Sequence, residues 1–116
     1  MDKNPRLIKL DRILRKTARE NNAPIWNAVR KFIMRSRRRR VVVNISKINR
    51  YTSEGDMVVV PGKVLSCGNM NHKVTVAAFD YSEKAFKKLV SSNCKALFIE
   101  DLIKINPRGK GVKIIV

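Results

Sequence analysis

Histidine, cysteine and acid are scarce in this sequence. Its 116 residues include one histidine (His72), two cysteines (Cys67 and Cys94) and nine Asp and Glu. His72 has no cysteine or carboxylate nearby at metal-ligand spacing, and two cysteines outside any C-x-x-C pattern are too few for a zinc site. Both cysteines lie in apolar surroundings and read as buried thiols in a reducing compartment. One histidine and two thiols allow few nucleophile–base pairs, and the carboxylates fall mostly at cap and surface positions, so no catalytic constellation emerges. Long apolar runs are missing as well. None approaches the roughly 18 residues of a membrane span. The charged N-terminus lacks the apolar stretch of a signal peptide. A soluble, cytoplasmic protein is the expectation. Gly62-Lys63 lacks the G-x-x-x-x-G-K-[ST] spacing of a phosphate-binding loop. The chain shows no internal repeat, no low-complexity linker, no helix-turn-helix signal and no zinc motif.

What is present is positive charge. Lys and Arg number 26, for a formal net charge of +17, while 44% hydrophobic residues suffice for a core. The length suits one domain. Such an excess repels itself unless an anion neutralises it; nucleic acid is the commonest such partner and an anionic membrane surface the next. Residues 1–40 hold fourteen Lys and Arg against three Asp and Glu. The chain therefore reads as one domain, 1–116, with a basic helical region over 1–40 and an α/β core over 41–116.

Asn4-Pro5 opens a first helix as N-cap and first helical residue. Leu7, Leu10, Leu14 and Ala18 recur at helical spacing, with Ile13 beside them, while Lys9, Arg12, Lys16 and Arg19 form a basic stripe opposite. A break at Asn21-Asn22 and a new start at Pro24 predict a helical hairpin. Ile25, Val29, Phe32 and Ile33 face inward, and Trp26 is a core anchor rather than a base-stacking platform. Five of the six residues 35–40 are arginine. Adjacent guanidinium groups repel, and their planar forks suit bidentate phosphate contacts, so this run reads as phosphate-binding. The same repulsion predicts that it is mobile until an anion orders it.

Residues 41–45 form a short strand, followed by one helical turn capped by Ser46. The organising stretch is 57–81. Residues 57–60 and 63–67 read as strands joined or bent at Pro61-Gly62, and 68–72 as an exposed loop. Residues 74–79 are apolar on both sides of the pleat, which demands cover on both faces and makes this strand central. Asp80 or Ser82 caps the next helix, with Ala85, Phe86, Leu89 and Val90 inward and Lys84, Lys87 and Lys88 outward. Residues 95–99 form a strand, Glu100-Asp101 start a short helix that Asn106-Pro107 stops, 108–111 make a basic turn, and 112–116 a last strand.

At V-V-V-P-G-K-V-L-S-C-G-N-M-N-H-K-V-T-V-A-A-F-D-Y-S-E-K-A the chain resembles the archaeal large-subunit ribosomal protein eighteen-e. That family is related to eukaryotic large-subunit protein eighteen and, more distantly, to bacterial large-subunit protein fifteen. Asn4-Pro5, the F-I-M-R-S-R-R segment and the I-N-P-R-G-K-G segment extend the resemblance, in order, over essentially the whole chain. It implies a structural role in the large ribosomal subunit, bound to large-subunit ribosomal RNA beside neighbouring ribosomal proteins. It also implies an α/β fold in which the basic helical hairpin is followed by an irregular β-β-α superhelical core of short strands and helices. The ending at Val116 matches an archaeal length. The unbroken Arg37, Arg38, Arg39 and Arg40 depart from the family's usual pattern.

The expected mechanism is electrostatic and geometric: Arg and Lys neutralise phosphates and release counterions, and the fold sets their positions. Duplex RNA hides its major-groove edges, so shape, backbone and 2′-OH are what such a surface reads, with a few unpaired bases. Four groups are candidates. They are Arg35, Arg37, Arg38, Arg39 and Arg40; the helix face Arg12, Lys16 and Arg19; the strand-end group Lys63, Asn69, Asn71, His72 and Lys73; and Arg108, Lys110 and Lys113. Groups so scattered in sequence suggest a protein surrounded by RNA. No cofactor, metal, membrane or small-molecule substrate is expected. The rival readings are a basic DNA-compacting chromatin-type protein, an interfacial membrane protein using the first helix, and an RNA-acting enzyme.

Overall fold

The computed structural model describes residues 4–35 and 37–116, with the side chain of Arg37 outside the described part. Helix α1 (Pro5–Glu20) begins as its sequence dictates: Asn4 Oδ1 accepts from the Arg6 N–H at 3.0 Å, and Pro5 needs no partner for a missing N–H. Leu7, Leu10, Leu14 and Ala18 are buried, joined by Thr17. Helix α2 (Ile25–Ile33) buries Trp26, Val29 and Ile33. Trp26 is completely enclosed, and its indole N–H donates to the Pro107 carbonyl at 2.7 Å, which ties α2 to the C-terminal turn. An apolar body with a satisfied polar handle is an anchor, and its ring is not available to a base.

The core is a five-stranded sheet, parallel throughout. Strands β1 (Val41–Asn44), β2 (Met57–Leu65), β3 (Thr75–Tyr81) and β4 (Lys95–Phe98) lie side by side in that order, and β5 (Val112–Ile114) joins β2 on the edge it shares with β1. The central apolar run is β3, flanked by β2 and β4 as its two-sided apolarity required. Alternation along the strands divides the molecule into two cores. Val58, Val60, Val76 and Ala78 face helices α3 (Ile45–Arg50) and α4 (Glu83–Ser91). Val59, Ala77 and Phe79 face α1, α2 and α5 (Ile99–Ile105). Each enclosed Val or Leu contributes about 1.5–3 kcal/mol, so both layers of helices are held firmly.

Pro61-Gly62 does not join two strands; it lies inside β2. The register with β3 gains one residue on β2 between Val60 and Lys63, a bulge. On the opposite edge β5 pairs with Met57, Val58 and Val59, and β1 pairs from Gly62 to Leu65. Pro61, which has no N–H to give, falls where one neighbour stops and the next begins. Gly62 is required because a Cβ there would lie 2.0 Å from the Val41 carbonyl oxygen. The irregularity of the core is concentrated at this point.

Several local expectations are corrected. Helix α3 starts at Ile45 with Asn44, not Ser46, at its N-cap position, because β1 runs directly into the helix. Ser82, not Asp80, caps α4: its Oγ accepts from the Ala85 N–H at 3.1 Å, while Asp80 stays in β3 and accepts from the Tyr81 N–H. Only Ala85 and Leu89 of α4 are buried; Phe86 and Val90 are largely exposed. Cys94 is buried, but Cys67 is exposed.

Candidate nucleic-acid interface

The basic side chains sit on the surface of this filled core, in groups that the fold separates. On α1, Lys9, Arg12, Lys16 and Arg19 are exposed, because the opposite stripe is spent on the core. Lys16 reaches Glu20 only at 3.9 Å. Among the described residues no carboxylate pairs with Lys9, Arg12 or Arg19. Arg30, by contrast, is committed to Asp11, which also reaches Arg15 at 3.6 Å. Asp11 thereby fastens α1 to α2 and leaves the outer stripe free to meet an anion.

The arginine run leaves α2 and enters β1. Arg37–Arg39 form a single 3-10 turn, and Arg38 and Arg39 are exposed. The Arg35 guanidinium lies 4.5 Å from the centroid of Phe32. Arg40 is half-buried, its guanidinium 5.6 Å from the Phe79 ring, on which Arg6 also stacks at 4.3 Å. The Arg37 side chain lies outside the described residues.

The loop between β2 and β3 is held on both sides. From α3 and the turn after it, Ser46 N–H donates to the Cys67 carbonyl at 2.9 Å, while Asn49 Oδ1 accepts from the Asn71 N–H and Glu54 from the Lys73 N–H, both at 2.8 Å. His72 Nε2 lies 2.6 Å from Thr52 Oγ1. From α4, the Lys88 ammonium donates to the carbonyls of Ser66 and Gly68 at 2.9 and 3.0 Å. The helical pattern points Lys88 outward; it turns toward this loop instead, because the loop's backbone offers two carbonyls in need of a donor. Asn69, Asn71 and Lys73 are left exposed, and His72 is half-buried. Lys47, Arg50 and Tyr51 are exposed on the same side of the molecule; sequence reasoning misses all three. Tyr51 and Lys47 line a hollow of about 350 Å³ together with Lys113. The visible signal is Lys47 and Arg50 three apart on a short helix; nothing local tells that Ile45 and Ile48 alone are buried in it.

Lys63 is exposed and pairs in register with Val42 of β1 and Asp80 of β3, so it belongs near the arginine run rather than with the loop 68–73. Arg108 and Lys110 lie on the turn that Trp26 and Asn106 brace: Asn106 Nδ2 donates to the Lys110 carbonyl at 3.0 Å. Lys113 is not with them. Its ammonium bonds Asp56 at 2.8 Å, and this bond, with that of the Ser53 N–H, holds the Asp56 carboxyl below its ordinary value. The four groups thus become two broad regions, one on the helical hairpin and the C-terminal turn, the other on α3 and its neighbouring loop. Among the described residues no cluster of His, Cys, Asp and Glu could hold a metal ion, and no helix is long and apolar enough to cross a membrane.

Fold and surface define a class: a small basic α/β protein whose interior is filled and whose cations are displayed around it. Comparison with known proteins narrows it. The family model for "Ribosomal protein 60S L18 and 50S L18e" matches residues 2–116. The chain is 47% identical to the "Large ribosomal subunit protein eL18" of Pyrobaculum aerophilum over 113 residues, covering 97% of this chain and 93% of that protein. It is 45% identical to the protein of the same name from Methanococcus maripaludis, covering 98% of this chain and 95% of the relative. For that of Methanospirillum hungatei the identity is 42%, over 97% and 93%. The chain belongs to the L18 and L18e family of ribosomal proteins.

Proposed function

We propose that this chain is a structural constituent of the large ribosomal subunit that binds and stabilises folded large-subunit ribosomal RNA through Arg and Lys contacts to phosphate. The observation that carries the reading is family membership over 2–116, together with exposed Lys and Arg on opposite layers of one rigid core. Hairpin and core act as one domain, since α1 and α2 share a core with β2 and β3. Ribosomal RNA and neighbouring large-subunit proteins are its partners, and no catalytic step, membrane or small-molecule substrate is assigned to it.

The contacts come from Arg35 and Arg37 to Arg40, from Arg12, Lys16 and Arg19, from Lys63, from Asn69, Asn71, His72 and Lys73, and from Arg108 and Lys110. Lys113 acts through Asp56 instead, bracing the segment before β2. Lys47, Arg50 and Tyr51 extend the loop region, with Tyr51 as a ring on which an unpaired base stacks. The test is co-sedimentation of the native protein with large subunits through a moderate-salt wash, joined to RNA binding in vitro. Replacing Arg12, Lys16 and Arg19 by Ala should lower the slope of log K against log salt by about one for each phosphate no longer engaged. Travel with chromosomal DNA, or an unchanged slope, would overturn the reading in favour of a DNA-compacting role or of other RNA-binding residues.

A further inference from the structure

One end of the sheet departs from the rest of this cationic surface. Among the described strands β4 is an open edge, paired with β3 alone, and its last residue Phe98 is 39% exposed. Phe86 on α4 is equally exposed, 39%. Tyr81 stands between them, edge-on to both, with centroids 5.7 and 5.8 Å apart. Its hydroxyl is shared between the carbonyls of Val76 and Leu97 at 2.9 and 2.5 Å, which fixes the ring. Burial pushes the Tyr81 hydroxyl well above its ordinary pKa, so it stays a donor. The three rings line a hollow of about 250 Å³. A second hollow of about 440 Å³ adjoins it, with Asp80 and Phe98 common to both.

The charge around these rings says what fits them. Asp80 and Glu83 line the first hollow and Glu100 and Asp101 the second, four of the nine carboxylates in the chain. Two cations share the lining, and both are paired: Lys87 with Glu83 at 3.1 Å, Arg6 with Glu100 at 2.9 Å. Asp80 and Asp101 accept from the backbone N–H groups of Tyr81 and Phe98, and Lys63 stands opposite Asp80 in the sheet register. The two hollows together hold four carboxylates against two paired cations, a lining that favours a cationic occupant over phosphate. The molecule itself displays the right chemistry: the Arg6 guanidinium lies 4.3 Å from the Phe79 centroid and 5.2 Å from that of Phe98 while Glu100 holds it.

We infer that a basic, extended segment of a neighbouring large-subunit protein lies across this cleft, its Arg and Lys heads over Phe86 and Phe98 and against Asp80 and Glu83. The inference rests on the ribosomal reading, and its test separates the two. Large subunits are assembled with the full chain carrying Phe86→benzoylphenylalanine and then irradiated. A parallel sample carries the same photo-reactive residue at Asn69, in the loop assigned to RNA. The expected result is an adduct from position 86 to a Lys- and Arg-rich stretch of another large-subunit protein, reduced at least tenfold when Asp80→Lys and Glu83→Lys are added. Adducts from position 86 to RNA, no protein adduct, or one indifferent to the charge reversal would overturn the inference while RNA adducts from position 69 leave the ribosomal reading standing. Absence of the chain from the subunits would overturn both.

Discussion

Gly62→Ala adds one methyl group at the tightest point of the sheet. The new Cβ would stand 2.0 Å from the Val41 carbonyl oxygen, 2.6 Å from its carbon and 2.8 Å from the Val41 Cβ. Ordinary van der Waals separation begins at about 3.5 Å, so the overlap is about 1.5 Å against backbone that has no rotamer to change. Either β1 retreats by more than about an ångström or β2 bends away. A hydrogen bond near about 3 Å does not survive that retreat, and the pairing of β1 with β2 from Val41 to Asn44 breaks. Overpacking costs about 1–3 kcal/mol. Two or three backbone bonds at about 1 kcal/mol each bring the total to about 3–6 kcal/mol. For a domain of this size that lowers Tm by about 12–24 °C. It is a large part of the stability such a domain has, about 5–15 kcal/mol. Because β1 carries the arginine run, RNA affinity should fall too, with the amides of Val41–Asn44 losing protection from hydrogen exchange. Gly55→Ala is the control. Its φ is +84 but a Cβ there meets nothing within 4 Å, so it costs only the backbone strain, about 1–2 kcal/mol. Thermal and urea unfolding of both variants decide the matter. Equal losses, or full protection of β1 in Gly62→Ala, would refute the clash.

Two further outcomes follow from named interactions. Lys88→Met keeps the apolar stem but removes the donor to the Ser66 and Gly68 carbonyls. The amides of 66–73 should exchange at least about tenfold faster, corresponding to about 1.4 kcal/mol of local stability, and RNA binding by that loop should weaken; unchanged exchange would show that α3 holds the loop alone. Acid should destabilise the fold through Asp56 and Glu100. For Glu100, burial opposes ionisation, but the hydrogen bonds and charge of Arg6 outweigh it and leave the carboxyl below its ordinary value. Lowered carboxylates contribute stability that is fully present above about pH 4–5 and lost as pH falls through their folded values. The urea midpoint should therefore be flat from neutral pH to about pH 5 and fall below about pH 4. Arg6→Met should make that acid limb shallower; an unaltered limb would assign it to other groups.

The helical hairpin could be read from the linear sequence because its determinants are local. Asn4-Pro5 sets a start, the spacing of Leu7, Leu10, Leu14 and Ala18 sets a face, and Lys9, Arg12 and Arg19 had nowhere to go but outward. The centrality of β3 was legible for the same reason, since residues apolar on both faces of the pleat demand two covers. The basic character and its concentration in the first forty residues needed only counting.

Tertiary structure decided what depends on who sits beside whom. Pro61-Gly62 resembles a turn because both residues punctuate chains; it is a bulge because β1 and β5 share one edge of β2 and meet there. Lys88, Lys113 and Arg30 resemble the other exposed cations, yet each is committed to a partner far along the chain: the carbonyls of Ser66 and Gly68, Asp56, and Asp11. Phe86 and Val90 carry the hydropathy of core residues but are exposed, because α4 turns only Ala85 and Leu89 into the core. Sequence determined the amphipathic elements and the sign of the surface, since those are properties of neighbours along the chain. Which cations remain free, and where the carboxylates and aromatic rings gather, was settled only by packing, because pairing and exposure belong to distances in space.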